Sequence, residues 1–398
     1  MNQAVNTDLQ VNFNQHERAR MDFVSSLRAH VLTRMAPAMR EHYETKVAPR
    51  LARTTAGGPT DGPAVHAAMR GEKPFRFYSA ARNSAQEMVF ASVIEGVERE
   101  VDRLNSAAAN LRGTAATGSL TLDPALGIPK NVSDIDVHLS PGSYHSEYRD
   151  EDVATGAIYD NSIRVFTFGQ FGKDLNDIGA TMANYVRLKF PDFRPEKILD
   201  CGCSIGHNTL PWAQAFPDAE VTGIDVAPAV LRYGHARAQS MGVAAHFRQM
   251  NATDLDYPDN SFDVVFSSMF MHELPLKDIH AFLKEAHRVL RPGGLLWNME
   301  LPPNNQMPAY ESFYLDWDSF YNNEPYYKGF RDQDYRELVA HAGFGSDAFV
   351  QATLPRYTFV GEEAFARDIN APATFDTLTG RMDPKGTRWY GFGAWKSA

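Results

Sequence analysis

From residue 196 onward the chain alternates short apolar runs with helical patterns, and few folds accommodate that rhythm. KILDCG is an apolar run ending near Asp200, and HNTLPWAQAFP after it reads as a helix. EVTGIDVA closes a second strand at Asp225, followed by the helix PAVLRYGHARAQSMG, which stops at Gly242. AAHFRQMNATD, SFDVVFSSMF and GLLWNMEL supply three more strands, and IHAFLKEAHRVLRPGG is the helix between the last two. SFDVVFSSMF is apolar almost throughout, as a strand buried on both faces of a parallel sheet must be. Strands and helices in alternation mean βαβ units, so the expected class is α/β with a doubly wound, Rossmann-like sheet. Further strands are expected near 348–360 and at 388–396.

Such sheets bind ligands beyond the carboxyl ends of their strands. Here three acids occupy three successive strand ends, and two glycines sit in the first turn. Gly202 and Gly206 permit a tight turn and close approach of a ligand. Asp225 can accept hydrogen bonds from the two hydroxyls of a ribose. Asp254 can accept from an exocyclic adenine amine, with Ala252 and Thr253 offering backbone groups. Together these residues describe a nucleoside site.

This constellation resembles the class I S-adenosylmethionine-dependent methyltransferases. ILDCGCSIG matches the first glycine motif, VTGIDVA the ribose motif, NATDLDYPDNSFDVVFSS the adenine and fourth-strand motifs, and EAHRVLRPGG the turn before strand five. The likeness covers roughly residues 180 to 300 and is strongest to the small-molecule branch, which includes quinone and natural-product enzymes. It implies a seven-stranded sheet, S-adenosylmethionine as cofactor, S-adenosylhomocysteine as product and methyl transfer (EC 2.1.1) to a small molecule. It also places Asp200, Gly202, Cys203, Gly206, Asp225, Val226, Ala252, Thr253, Asp254 and Met269 around the cofactor, with Phe270 or Met271 packing nearby. The family loop often carries a central glycine where this chain has Ser204. The loop lacks the G-x-G-x-x-G of dinucleotide enzymes.

Both cysteines of the chain, Cys201 and Cys203, lie in this loop with His207 close behind. Zinc normally takes four ligands and no second cysteine pair exists, while a disulfide between residues two apart is badly strained. They are expected to fill small gaps, and no metal ligand is assigned. His272 and Glu273 in MFMHELP follow the fourth strand. His272 is a candidate general base, against the alternative that it lines the cofactor pocket, and Glu273 a candidate to orient a substrate. H-E without a second histidine does not make a zincin motif. Glu300 ends the fifth strand as a second catalytic candidate on the substrate side. YESFYLDWDSFYNNEPYYKGF is unusually aromatic. Tyr310, Tyr314 and Trp317 are expected either to wall a substrate pocket or to pack as a cover or dimer contact. Tyr144, His145, Tyr148 and Tyr159 reach the pocket from the other side, or form a structural loop.

Residues 1–140 read as a helical region suited to a lid or to dimerisation, with TTAGGPTDGP breaking its first helical pattern. Residues 141–398 form the methyltransferase domain, with the aromatic insert near 303–330. A net charge of −10 disfavours nucleic acid as a partner. No run approaches the roughly 18 apolar residues of a membrane span, and the N-terminus has no apolar signal core. The expectation is a cytoplasmic enzyme with a small-molecule substrate, no membrane insertion and scope for a homodimer. The competing readings are a non-catalytic regulatory subunit of the same fold and a protein or RNA methyltransferase.

Overall fold

A computed structural model describes residues 9–54, 61–114, 118–371 and 388–397. The breaker at 55–60 and the connection at 115–117 lie outside the described residues. The strands are β1 (Ser119–Thr121), β2 (Lys197–Cys201), β3 (Glu220–Asp225), β4 (His246–Gln249), β5 (Phe262–Ser268), β6 (Leu290–Glu300), β7 (Phe349–Pro355) and β8 (Arg388–Trp395). They form one sheet in the order β1-β4-β3-β2-β5-β6-β8-β7. β8 pairs antiparallel with both neighbours, and the other pairings are parallel. The sheet therefore has eight strands rather than the expected seven. The extra one is β1, three residues of the Gly/Thr-rich connection laid along β4 with Leu120 opposite Phe247.

Side chains of a strand alternate between faces, and here both faces are covered. Leu199, Ile224, Val265 and Leu296 pack under the helices Leu276–Val289 and Tyr335–His341. Their strand neighbours Ile198, Val221, Val264, Phe266 and Trp297 pack under Asp177–Lys189 and Trp212 on the other face. Two-sided burial explains why these strands read as nearly continuous apolar runs. The helix Pro228–Met241 ends at Gly242 in the left-handed conformation the sequence implied.

The N-terminal region is helical over 15–54 and again in Gly62–Met69, Lys73–Arg99 and Val101–Thr114. The last two are separate helices because Glu100 between them leaves helical geometry. The stretch carrying Tyr159, for which the sequence also offers a structural loop, forms the helix Ala154–Phe166, and Gly156 brings it against the ring of Tyr233. Val24, Val89, Phe90, Val93 and Val97 of the N-terminal helices share one buried cluster with Ala157, Ile205, Val230 and Tyr233.

Candidate active site

The carboxyl ends of β2 to β5 open into a cavity of about 740 Å³, a size that suits a cofactor and substrate together. At one end lie Asp200, Gly202, Cys203, Ser204, Asp225, Val226, Ala252, Thr253 and Met269. The loop after β2 folds back on β3, with the Gly202 and Cys203 amides both donating to the Ile224 carbonyl at 2.9 Å. Gly202 has φ +79°, and a Cβ there would lie 2.3 Å from the Phe270 ring. Ser204 holds φ +48°, a left-handed conformation at the family's glycine position, while its amide donates to Asp225 Oδ2 at 2.9 Å. Asp225 Oδ1 accepts from the Ala227 amide at 3.0 Å. A carboxylate offers about four lone-pair sites, so capacity remains for two further donors. Asp200 accepts from the Thr209 hydroxyl at 2.6 Å, and burial pushes its pKa up to about 7.

At the other end stand His138, Tyr144, His272, Glu273, Glu324 and Tyr327, with Tyr159 between the two ends, its ring 5.6 Å from that of His207 and 5.1 Å from that of Tyr144. Glu300 Oε1 accepts the amides of Phe270 and Met271 at 2.9 and 2.8 Å, and Oε2 faces His272 Nδ1 at 2.5 Å. His138 Nε2 is 2.7 Å from Glu324 Oε1, and its Nδ1 bonds the Tyr144 hydroxyl. Burial opposes a charge on either imidazole, yet the carboxylates win. Glu300 and Glu273 hold the His272 pKa well above its ordinary value, and Glu324 raises that of His138.

Residues 198–294 match the family model described as a methyltransferase domain. Residues 198–294 are thereby a methyltransferase domain of the class I S-adenosylmethionine-dependent kind. A demethylmenaquinone methyltransferase of Thermus thermophilus is 35% identical over 109 residues, which are 27% of this chain and 49% of that protein. A 27-O-demethylrifamycin SV methyltransferase of Amycolatopsis mediterranei is 37% identical over 103 residues, 25% of this chain and 37% of its own. A phosphoethanolamine N-methyltransferase of Haemonchus contortus, solved with S-adenosyl-L-methionine, aligns with 17% identity and a TM-score of 0.37 over 58% of this chain and 60% of that one. The chain spans about half the length, or less, of these curated relatives.

Around this cavity five expectations about site residues need correction. Asp254 does not face the cavity. It is exposed in a turn, its amide on the Asn251 carbonyl, beside a separate hollow lined by Thr121, Arg248 and Asp256. The chain reverses at Asn251, whose Oδ1 accepts from the Thr253 amide and hydroxyl, so the inner side of the turn is Asn251, Ala252 and Thr253. Glu300 is fully buried behind His272 and is a positioning residue, since the amides and the imidazole take both its oxygens. Tyr310, Tyr314 and Trp317 lie on the wrong face of the helix Ala309–Tyr321. They pack on the N-terminal helices, with Tyr310 4.7 Å from Tyr43 and Trp317 4.0 Å from His66, ring centre to ring centre. The opposite face gives the cavity Leu315, Asp318, Ser319 and Asn322. His145 also lies off the cavity, whereas Tyr144 and Tyr159 line it. Gly206 shapes the turn rather than the cavity wall, with φ +72° and the Phe247 ring against its α-carbon. His138, Asn251, Glu324 and Tyr327 escaped the sequence reading. His138 lies in a connection without periodicity, and Glu324 was hidden among the aromatics of NNEPYY.

Proposed function

We propose that the protein transfers a methyl group from S-adenosylmethionine to a small-molecule acceptor. The observation that carries this is the division of one cavity into a strand-end nucleoside half and a polar acceptor half holding two histidines and two glutamates. The nucleoside half fits the cofactor. Gly202 leaves the Phe270 ring room that any Cβ would fill, and Asp225 keeps capacity for two ribose hydroxyls. Ala252, Thr253 and Asn251 would border the adenine, and Met269 and Phe270 the sulfonium side. The bound cofactor supplies an already electrophilic methyl group. The chain's part is to orient both partners and exclude water.

Tyr144, Tyr159 and Tyr327 would wall the acceptor, while Glu273 and Glu324 offer oxygens that can take its proton. His272, clamped by Glu300, has one ring nitrogen left for the cavity. A regulatory subunit would have no need of both halves intact. The reading includes action in the cytoplasm and admits a homodimer through the helical N-terminal region, which sedimentation measures. Calorimetry should show the protein binding S-adenosylmethionine, and Asp225→Ala should weaken that at least 10-fold. Labelled methyl transfer into cell extract should appear in the small-molecule fraction. No binding by the intact protein, or label found only in protein or RNA, overturns the reading.

A further inference from the structure

We propose that His138, His272, Glu273 and Glu324 form a binding site for one divalent first-row transition metal ion at the acceptor end of the cavity. One ligand atom each from His138, Glu273 and Glu324 lies within 4.8 Å of the others. His272 Nε2 stands beside this group rather than within it, 3.5 Å from Glu273 Oε1 and 3.8 Å from Glu324 Oε1. His138 Nε2 is 3.7 Å from that Glu273 oxygen. Two ligand atoms bound to one ion at about 2.1 Å each and a tetrahedral angle stand roughly 3.4 Å apart. Of the four histidine-to-carboxylate spacings, among the six that four ligands make, three are within a few tenths of that. The 2.7 Å contact of His138 with Glu324 needs only a small opening.

A second observation is independent of the spacing. Metal-binding histidines use one ring nitrogen for the ion and secure the other on a neighbour, which fixes the tautomer and the ring plane. Both imidazoles here are held that way, His272 Nδ1 by Glu300 and His138 Nδ1 by the Tyr144 hydroxyl. Both therefore turn Nε2 toward the same two carboxylates. A third observation is backbone strain. His138 and Leu139 both hold φ +57°, a conformation that costs a non-glycine residue on the order of 1 kcal/mol. Gln86 fixes the His138 carbonyl there at 2.7 Å. Strained residues of this kind cluster at functional sites.

Two imidazoles with two carboxylates suit zinc, manganese, iron(II) or cobalt(II) rather than magnesium or calcium, which favour all-oxygen shells. The site does not depend on methyl transfer. Its place in the cavity, which does rest on that reading, makes an oxygen-bearing acceptor the natural substrate class. The competing account is a proton-held His–Glu network with no ion.

The test uses the full chain stripped with chelator and titrated with zinc or manganese chloride alone, together with the absorption spectrum of the cobalt(II) form. The expected result is one equivalent bound, visible-region cobalt bands, and binding at least 10-fold weaker in Glu324→Gln and in His138→Asn. Asp225→Asn, at the far end of the cavity, should keep the metal while losing cofactor affinity. A folded wild-type protein that binds S-adenosylhomocysteine yet takes up none of these ions overturns the metal site and leaves the proposed activity standing. Ion binding unchanged in both ligand variants overturns it equally.

Discussion

Asp200 stands near the carboxyl end of β2, beside the loop that lines the cavity, and its environment sets a measurable pH dependence. Burial lifts its pKa to about 7, above the ordinary 3.8 that the unfolded chain retains. Between those values the folded protein holds a proton that the unfolded chain has released. Stability therefore falls as pH rises through this window, and the cost is complete above about pH 7. Asp200→Asn removes the titration. Its melting temperature should exceed the wild type's by roughly 2–5 °C at pH 8, with the difference closing toward pH 4. A difference independent of pH would contradict the argument. Gly202→Ala should act through space instead. The added carbon at 2.3 Å must displace the Phe270 ring, and φ +79° is strained for alanine. Cofactor affinity should drop at least 10-fold by calorimetry while circular dichroism stays native-like. The gathering of Asp200, Gly202 and Asp225 at one strand-end cavity was legible because the position of strand ends follows from the fold class. Asp254 was misread because Asn, Ala, Thr and Asp follow one another, and only the turn's geometry decides which of them faces inward.

Among the elements, the helix Ala309–Tyr321 divides its two faces between the N-terminal helices and the cavity. Its composition revealed the aromatics. Their facing could not be read, because the surface that buries them comes from residues 27–81, far away in sequence. The strands were legible for the opposite reason, since two-sided burial writes itself into an apolar run. β1 was not, having three residues with only Leu120 partly buried. The helix is anchored by Arg82, which is fully buried and donates to Asp318 Oδ1 at 2.6 Å and Oδ2 at 3.2 Å. It also bonds Asn322, and both partners line the cavity. Removing one member of a buried pair strands the other, at a cost of about 3–5 kcal/mol, whereas replacing both costs much less. Arg82→Met should therefore destabilise strongly, and Arg82→Met with Asp318→Leu should recover part of the loss. Urea titration of the two singles and the double checks this, and simple additivity would rule the coupling out.

At the scale of the molecule, the division into a helical region and a methyltransferase domain at residue 140 does not coincide with a break in packing. β1, from the first part, is an edge strand of the second part's sheet. The cluster containing Val89 and Val93 continues through Ile205 and Val230, and that containing Val31 and Met39 continues through Tyr310 and Phe313. Polar groups cross the same boundary. Arg28 donates to the Phe166 carbonyl at 2.8 Å and Arg82 to Asp318, while within the first part Arg28 also donates to Gln86 at 2.6 Å and Gln86 to the His138 carbonyl. A detachable lid would instead meet its partner through a smaller, more polar interface and unfold separately. With buried apolar clusters and buried charges shared between the parts, neither can lose the other without exposing both. Calorimetry of the full chain should show one cooperative transition, followed coincidently by tryptophan fluorescence and far-ultraviolet dichroism. Removal of residues 1–114 should give a product that fails to fold and binds no S-adenosylhomocysteine. A truncated protein that melts cooperatively and binds the nucleoside would show that the helices are an added cap, and that Arg82 and Gln86 only trim a site the sheet can build alone.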